Sequence, residues 1–243
     1  MEKTTKNAII IGATAGIGRE LAIQLNLKGY RLGLTGRREE LLNALREELP
    51  GDNRIAVMDV TQLRESRETF NRLCEEMGDV ELVILNAGIS AGLNPDWETL
   101  QRIIDTNVSG FVALGEAAFD YFSARGGGHI VGISSMAALL GLARSRTYSA
   151  SKAFVSNYMQ GLRHRSARKK LNIIVTDIKP GFVETEMTEG KPVFWQAPLD
   201  KAVRQMVLSI EGKRRHAYIT RRWRLVAWTL KLLPEWLFLK LPL

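Results

Sequence analysis

The fold of this chain is decided by the stretch Ala8-Ile9-Ile10-Ile11-Gly12-Ala13-Thr14-Ala15-Gly16-Ile17-Gly18. Its apolar first half suits a β-strand buried on both faces, and its second half places three glycines at a turn. Residues 19–27 then carry apolar side chains at helical spacing, and residues 30–35 form a second apolar run. This order predicts a strand–helix–strand unit with glycines at its first turn.

The glycine turn has the composition of a phosphate-binding site. Glycine lets the backbone turn sharply and approach a pyrophosphate, and the free N–H groups of the helix N-terminus meet the negative charge. The spacing Gly-x-x-x-Gly-x-Gly is neither the GxGxxG of larger dehydrogenases nor a phosphate-loop motif. The strand before it and the helix after it nevertheless favour cofactor binding over a purely structural turn. We predict cofactor contacts from Gly12, Thr14, Gly16, Ile17 and Gly18.

Two arginines follow the second predicted strand, at a position where a protein that binds NAD usually carries an acidic residue. The sequence there is Thr35-Gly36-Arg37-Arg38, and the first acid is Glu39. Because a guanidinium group suits a 2′-phosphate, Arg37 and Arg38 favour NADP(H) over NAD(H). The alternative is that one of the two arginines only opens the next helix.

Length and composition fit one α/β domain, with 243 residues of which 45% are hydrophobic and 25% charged. The single Cys74 excludes an intrachain disulfide and the polar N-terminus has no signal-peptide core, so we expect a cytoplasmic protein. The net charge of +8 concentrates in basic clusters at 163–170 and 213–224. We interpret the first cluster as a solvated face and expect no nucleic-acid partner, which charge alone leaves as a third alternative.

Five further strands are predicted, and they alternate with helical segments; they lie at 54–58, 80–85, 129–133, 171–178 and 216–220. This alternation predicts a single Rossmann-like, doubly wound parallel sheet of about seven strands, with helices on both faces. The sequence shows no clear domain boundary. We expect a dinucleotide-binding catalytic domain over 1–220 and an apolar extension of the same domain over 221–243.

A second informative stretch, Ser134 to Lys152, ends in Tyr148-x-x-x-Lys152. If a helix begins near Tyr148, Lys152 lies one turn later on the same face, where its ammonium group would lower the pKa of the phenol. A tyrosine of lowered pKa can exchange a proton with an alcohol oxygen, and one of the hydroxyls of Ser134 and Ser135 would hold that oxygen. The alternative is a surface Tyr and Lys at helical spacing.

Asn107 lies on the apolar face of a long helix predicted over residues 97–124, where a buried amide needs partners. The alternative is a core asparagine satisfied by the backbone. His129, His164 and His216 are scattered along the chain, so no metal site is predicted.

Together these marks resemble the short-chain dehydrogenase/reductases, in the subgroup of about this length, over residues 7–220. The resemblance rests on Gly12-x-x-x-Gly16-x-Gly18, Asn86-Ala87-Gly88, Asn107, Ser135, Tyr148-x-x-x-Lys152 and Pro180-Gly181 with Thr185, all in the family's order and spacing. Three positions depart from the family's usual pattern, namely Ile11, Leu85 and Ala138, and none of them removes a catalytic group.

The resemblance implies a role for each matching residue. Tyr148 would be the general acid in reduction, Lys152 would lower its pKa and hold the nicotinamide ribose, and Ser135 would bind the carbonyl oxygen. Asn107 would hold a water that links Lys152 to solvent. The implied cofactor contacts are Asp59 and Val60 at the adenine, Asn86, Ala87 and Gly88 along the cofactor, and Pro180, Gly181, Val183 and Thr185 at the nicotinamide, together with Tyr148 and Lys152.

The function predicted from these residues is that of an NADPH-dependent carbonyl reductase or alcohol dehydrogenase, as a homodimer or homotetramer. The alternative is a catalytically silent NADP-binding sensor or scaffold. Residues 90–97, 136–146 and 183–198 would shape the substrate site, and we expect no diagnostic charge there. Phe194, Trp195 and the apolar tail indicate a hydrophobic carbonyl or alcohol substrate.

The tail, residues 223–243, departs from the family's common core. It is strongly apolar and holds three of the five tryptophans. Lys231 and Pro234 interrupt it, which argues against a spanning helix of ~20 apolar residues and predicts two short helices with a break at Pro234. The arginines just before it fit an interfacial membrane segment. A subunit interface or a lid over the substrate site is the alternative.

Overall fold

Seven parallel strands form one sheet in the part of the chain that the computed structural model describes, residues 6–188 and 194–240. The strands are β1 (Lys6–Ile11), β2 (Tyr30–Gly36), β3 (Arg54–Val57), β4 (Val80–Leu85), β5 (Gly128–Ile133), β6 (Ile173–Pro180) and β7 (His216–Ile219). Their order in the sheet is β3-β2-β1-β4-β5-β6-β7. The predicted doubly wound parallel sheet is confirmed.

Helices cover both faces of this sheet. They are α1 (Gly16–Leu27), α2 (Glu39–Glu48), α3 (Leu63–Met77), α4 (Trp97–Ile104), α5 (Phe111–Arg125), α6 (Arg146–Arg168), α7 (Leu199–Glu211), α8 (Trp223–Leu232) and α9 (Glu235–Phe238). Helices α1, α2 and α7 pack on one face, and α3, α5 and α6 pack on the other. The buried apolar strands therefore have a core on each side, as their near-continuous apolar sequences require.

The long helix predicted over residues 97–124 is interrupted by a π-helical turn. Helix α4 ends at Ile104, the turn covers Asp105–Gly110, and α5 continues from Phe111. Turns of this kind are frequent at functional sites. Asn107 lies inside the turn. Gly110 lets the turn pack closely against the segment that follows β3, because a Cβ on Gly110 would lie 2.6 Å from the Val60 carbonyl oxygen.

Neither Asp59 nor Thr61, which follow β3, caps α3. Helix α3 begins two residues later, at Leu63. Asp59 instead accepts hydrogen bonds from the backbone N–H and the hydroxyl of Thr61, at 3.0 and 2.8 Å. The carboxylate thus closes a local turn after β3 rather than satisfying the helix N-terminus.

The interpretation of the basic cluster at 163–170 as a solvated face is wrong for two of its arginines. Arg163 donates to the carbonyl oxygen of Val175 at 3.2 Å, and Arg165 forms an ion pair with Glu116 at 2.6 Å. Both side chains therefore hold α6 to its neighbours, and only the end of the cluster is fully solvated.

The described part of the tail contains α8 and α9, separated near Pro234. Trp223 and Ala227 of α8 are buried against Met136, which follows β5. None of the helices in the described residues combines the length and the hydropathy needed to cross a membrane. Three stretches named in the sequence predictions lie outside the described residues: the first five residues, 189–193 within the substrate segment, and 241–243 at the end of the tail.

Candidate active site

The carboxyl ends of β1 and β4 form the crevice in which the predicted site residues meet. These strands are neighbours, and the chain that follows each of them crosses to a different face of the sheet. Open α/β sheets bind their ligands in the crevice at such a point. The glycine turn follows β1 and Asn86-Ala87-Gly88 follows β4. The side-chain amide of Asn86 donates to the carbonyl oxygen of Gly12 at 2.7 Å, so the two segments are in direct contact.

Two glycines of the turn have backbone conformations that other residues rarely adopt. Gly12 has φ +89° and Gly16 has φ +51°. A Cβ on Gly12 would lie 2.8 Å from the Cα of Ala87. A Cβ on Gly18 would overlap the Gly12 carbonyl oxygen. The turn can therefore close between the start of α1 and the end of β4 only because these positions have no side chain.

The start of α1 has the donor chemistry of a diphosphate site. The first amides of a helix have no intrahelical acceptor, and Ala15, which precedes α1, has a methyl side chain that cannot cap them. These amides and the positive end of the helix dipole suit an anion. Arg37 and Arg38 are exposed at the end of β2, and Arg38 donates to the Thr14 hydroxyl at 3.0 Å. The residues present thus fit a phosphorylated dinucleotide.

The segment after β6 closes the opposite side of the crevice. The Thr185 methyl carbon lies 3.4 Å from the position of an ideal Cβ on Gly16, so Pro180–Thr185 faces the glycine turn. Val183 is buried and pairs with Ala197 in an isolated β-bridge. Gly181 packs directly against the indole of Trp223. The structure therefore brings the residues predicted at the two ends of the cofactor to one crevice.

Ser135, Tyr148 and Lys152 converge beyond the carboxyl end of β5. Tyr148 and Lys152 lie one turn apart near the start of α6, with the Lys152 Nζ 5.8 Å from the centre of the tyrosine ring. The same Nζ donates to the carbonyl oxygen of Ile133 at 2.9 Å. Ser135, two residues after Ile133, is hydrogen-bonded to the Tyr148 phenol. The three side chains thus share one small region of the crevice.

Burial controls the protonation of both titratable groups. Desolvation raises the pKa of Tyr148 above its ordinary value, and the hydrogen bond with Ser135 opposes this. The predicted lowering of that pKa by Lys152 is wrong for this geometry, because the ammonium group is bonded to the Ile133 carbonyl oxygen instead. Burial also lowers the pKa of Lys152 to about 8, with Asp177 acting in the opposite direction. Tyr148 is therefore a neutral phenol at pH 7.

The side-chain amide of Asn107 is fully partnered. Its Oδ1 accepts from the Ile89 N–H at 2.8 Å, and its Nδ2 donates to the Ile89 carbonyl oxygen at 2.9 Å and to the Ser151 hydroxyl at 3.0 Å. An ideal Cβ on Gly88 would lie 3.1 Å from the Lys152 Nζ and 3.3 Å from the Asn107 Oδ1. Asn107 therefore lies beside Lys152 and fixes the segment that follows β4. The alternative of a core asparagine whose side-chain amide is satisfied by the backbone describes these contacts.

Behind these residues lies a buried carboxylate that the sequence predictions missed. Asp177 in β6 accepts hydrogen bonds from Ser134 and Ser156 and pairs with Lys179. Burial pushes the pKa of Asp177 upward, but His216, Lys179 and Ser134 together outweigh burial and hold that pKa well below its ordinary value. Because Ser134 is committed to Asp177, Ser135 is the serine that faces Tyr148. The signal available in the sequence was an acid and a lysine two residues apart within a largely apolar strand.

A small pocket beside Tyr148 is lined by two further arginines that the sequence predictions did not use. Arg144 and Arg146 line it together with Pro95, Leu100 and Ile103. The expectation that residues 136–146 offer no diagnostic charge is therefore wrong. The signal in the sequence was the spacing Arg-x-Arg-x-Tyr, which places both arginines in the segment that leads into Tyr148. Among residues 6–188 and 194–240, no group of three or more His, Cys, Asp or Glu side chains is placed to hold a metal ion.

Comparison with known proteins identifies the class. The family model described as short chain dehydrogenase matches residues 6–193. An uncharacterized oxidoreductase of Myxococcus xanthus is 39% identical over 194 residues, which cover 77% of this chain and 76% of the relative. The NADP-dependent 3-hydroxy acid dehydrogenase YdfG of Escherichia coli K12 is 35% identical over 185 residues, which cover 72% of this chain and 71% of that protein.

A solved structure agrees with these sequence relatives. The crystal structure of serine dehydrogenase from Escherichia coli matches with a TM-score of 0.68 at 32% identity, covering 72% of this chain and 82% of that one. The fold and the site thus define a dehydrogenase of the dinucleotide-binding α/β class. This chain belongs to the short-chain dehydrogenase family and is an oxidoreductase.

Proposed function

We propose that this protein is an NADP(H)-dependent oxidoreductase that interconverts a carbonyl group and a secondary alcohol, with Tyr148 as general acid and base. The observation that carries the proposal is the convergence of Ser135, Tyr148 and Lys152 beside the segment Asn86–Gly88. NADPH, when bound, supplies the hydride for the carbonyl carbon. The chain itself supplies orientation and the proton.

Tyr148 and Ser135 act on the substrate oxygen. Because the phenol is neutral at pH 7 and burial raises its pKa further, Tyr148 has a proton to donate to the oxygen of a carbonyl substrate. The Ser135 hydroxyl holds the same oxygen, and both hydrogen bonds strengthen as negative charge develops on it. The oxidation direction first needs a phenolate, which burial disfavours. These features support action as a carbonyl reductase.

Lys152 supports the tyrosine after proton transfer. A phenolate formed in this buried region is stabilised by the nearby ammonium group, which the Ile133 carbonyl oxygen holds in place. The same group is the proposed contact of the nicotinamide ribose. Asn107 fixes the adjoining backbone and lies beside Lys152 within the π-helical turn, which supports a role for this turn in holding the water that would link Lys152 to solvent.

The cofactor proposal is NADP(H) rather than NAD(H). Arg37 and Arg38 present two guanidinium groups at the end of β2, and Arg38 already bonds to Thr14 of the glycine turn. The relative YdfG is named as NADP-dependent. Asp59 and Val60, which follow β3 at the same edge of the sheet as the glycine turn, are the proposed adenine contacts. Both the charge of the site and the relative favour the phosphorylated cofactor.

The substrate we propose is a carbonyl compound with an apolar body and a carboxylate group. Phe182, Phe194, Trp195 and Trp223 form an aromatic cluster with ring centres 4.6 to 6.5 Å apart. Trp223 packs on Met136, the residue after Ser135, and this supports an apolar substrate wall. Arg144 and Arg146 beside Tyr148 support an anionic group, as does the name of the hydroxy acid dehydrogenase relative.

A substrate panel tests this function. The full chain is mixed with NADPH or NADH and with oxo acids of increasing length, their methyl esters and neutral ketones, and oxidation is followed at the nicotinamide absorbance. We expect turnover with NADPH, a preference for acids over esters and a preference for longer apolar chains. NADPH binding without turnover of any carbonyl or alcohol would instead support the silent sensor. Faster turnover of small neutral carbonyls would refute the proposed substrate class.

Three further properties belong to this proposal. Phe154 on α6 is 40% exposed and stacks on Tyr158, which supports an aromatic subunit contact in a homodimer or homotetramer. Light scattering checks this, and a monomer mass refutes it. The single, buried Cys74 supports a cytoplasmic location. The packing of Trp223 on Met136 supports a tail, 221–243, that belongs to the same domain as 1–220.

A further inference from the structure

Helix α8 has two apolar faces, of which only one is covered. Trp223 and Ala227 form the inner face and are buried against Met136. Leu225, Trp228 and Leu232 lie on the opposite side at the spacing i, i+3, i+7 and point away from this core. An amphipathic helix normally presents polar side chains to water at these positions. The outer face of α8 therefore has the chemistry of a contact surface.

Helix α9 extends this apolar surface beyond Pro234. Trp236 and Leu239 are exposed like the outer residues of α8, and the five side chains are between 61% and 82% accessible; they are Leu225, Trp228, Leu232, Trp236 and Leu239. We call these five residues the tail surface. Scattered exposed apolar residues are normal, but five within fifteen residues on one short segment mark a binding site.

Basic residues border the tail surface. Residues 221–240 contain five basic residues and one acidic residue, Glu235. Two of the basic groups lie over exposed tryptophan rings, with the Arg224 Cζ 5.9 Å from the ring centre of Trp228 and the Lys240 Nζ 5.4 Å from that of Trp236. Each of these pairs places a cation directly beside an exposed aromatic ring. Tryptophan with Arg or Lys is the typical composition of a segment that lies at a membrane interface.

We propose that the tail surface docks this enzyme on an anionic lipid membrane, with α8 and α9 lying in the plane of the headgroups. The apolar side chains enter the boundary between headgroups and acyl chains, and Arg221, Arg224 and Lys240 contact lipid phosphates. A break at Pro234 lets the two short helices follow a flat surface. The docked face is the outside of the helix whose inner face packs beside the candidate active site.

Charge favours a membrane over a second copy of the chain as the partner. A symmetric dimer through this surface would bring the same patch of each copy together, so the arginines and lysines of one copy would face those of the other. Like charges held close together oppose association. An anionic bilayer instead offers charges of opposite sign next to an apolar layer. The tail surface is apolar and bordered by positive charge, so it matches both the apolar layer and the negative headgroups of the bilayer.

Vesicle flotation of the full chain tests the proposal. The probes are vesicles of phosphatidylcholine alone and of phosphatidylcholine with phosphatidylglycerol. We expect the wild-type protein to float with the anionic vesicles, less with the neutral ones, and less at high salt because salt screens the phosphate contacts. The variant Leu225→Ser/Trp228→Ser/Trp236→Ser should lose flotation. Because these side chains are exposed, its circular dichroism and melting temperature should stay close to the wild type.

Matched controls separate the tail from general stickiness and charge. Leu27→Ser/Leu93→Ser removes two exposed apolar residues elsewhere and should float like the wild type. Arg221→Gln/Arg224→Gln should lower flotation with anionic vesicles more than Lys169→Gln/Lys170→Gln does. Wild-type protein that stays at the bottom of the gradient, or equal losses in test and control variants, would overturn the proposal. A tail variant that changes only the oligomer mass in light scattering would assign the surface to a second copy.

Discussion

The indole of Trp223 lies so close to the backbone of Gly181 that a methyl group on Gly181 would overlap the ring. Trp223 begins α8, whereas Gly181 follows β6 in the segment that faces the glycine turn. The C-terminal tail and the proposed nicotinamide side of the site therefore meet at this contact. A glycine is needed here for the close approach of a large side chain, and not for its backbone angle.

Replacement of this glycine should disturb both the tail and the site. We expect Gly181→Ala to lower the free energy of unfolding by about 1–3 kcal/mol, as overpacking of a well-filled contact does, and to raise the KM for NADPH. Denaturant unfolding and steady-state kinetics measure the two effects. Gly161→Ala is the control, because Gly161 lies within α6 with open space around it. Equal behaviour of the two variants would contradict the Trp223 contact.

Removal of the Arg38 charge should change the choice of cofactor. We expect Arg38→Gln to weaken NADPH binding about tenfold or more, because a charge-assisted hydrogen bond is worth about 1.5–3 kcal/mol, and to leave NADH binding unchanged. The ratio of kcat/KM for the two cofactors measures this. The control is Arg64→Gln, which changes a largely exposed side chain on α3 and should leave the ratio of kcat/KM values unchanged. An equal loss for both cofactors would argue against a 2′-phosphate contact.

Removal of the Asn107 amide should cost stability as well as activity. The variant Asn107→Ala leaves the backbone N–H and carbonyl of Ile89 without their partner, so we expect unfolding to become easier by about 2 kcal/mol or more. The exposed Asn157→Ala on α6 is the comparison and should change little. Thermal unfolding checks the first effect and kcat the second. Unchanged stability in Asn107→Ala would show that these hydrogen bonds do not hold the segment after β4.

The pKa of Lys152 predicts a pH dependence of stability with a definite sign. Its pKa is about 8 in the folded protein and 10.5 in its ordinary state, so between these values the unfolded chain binds more protons at this residue. The cost of burying the ammonium group is therefore present in full below pH 8 and disappears as the pH rises towards 10.5. As the pH rises from about 8 to 10.5, the free energy of unfolding of the wild type should therefore increase relative to that of Lys152→Met.

Urea unfolding of both proteins at several pH values across that range measures the difference. The surface variant Lys169→Met corrects for the general effect of alkaline pH. A constant difference between the wild type and Lys152→Met would mean that burial does not lower the pKa of Lys152. A stability difference that changes with pH in the opposite direction would mean that the folded protein raises the pKa of Lys152.

The fold could be predicted from the sequence because its signals are local. Apolar runs such as Ala8–Ile11 and Val80–Leu85, each followed by small residues, are long enough for buried strands and too short for helices. The π-helical turn was not predictable in this way. It brings Gly110 against Val60, a contact between residues far apart in the sequence that no local pattern indicates.

The identity of the site residues was more accessible from the sequence than their electrostatics. The spacing of Tyr148 and Lys152 predicts that they are close, which they are. It carries no information about the Ile133 carbonyl oxygen that binds the ammonium group, or about the burial that raises the pKa of the phenol. The contact of Ser134 with Asp177 depends on the register of β5 against β6, where Gly132 is paired with Asp177. Register between strands is set by tertiary packing.

The central claim is that the Tyr148 hydroxyl moves the proton of the reaction. The measurement is NADPH binding and single-turnover reduction of the best substrate by Tyr148→Phe, compared with the wild type. We predict that the variant binds NADPH with an affinity close to that of the wild type, because the ring remains, and that reduction falls below detection. Reduction by Tyr148→Phe at a rate near that of the wild type would contradict the account.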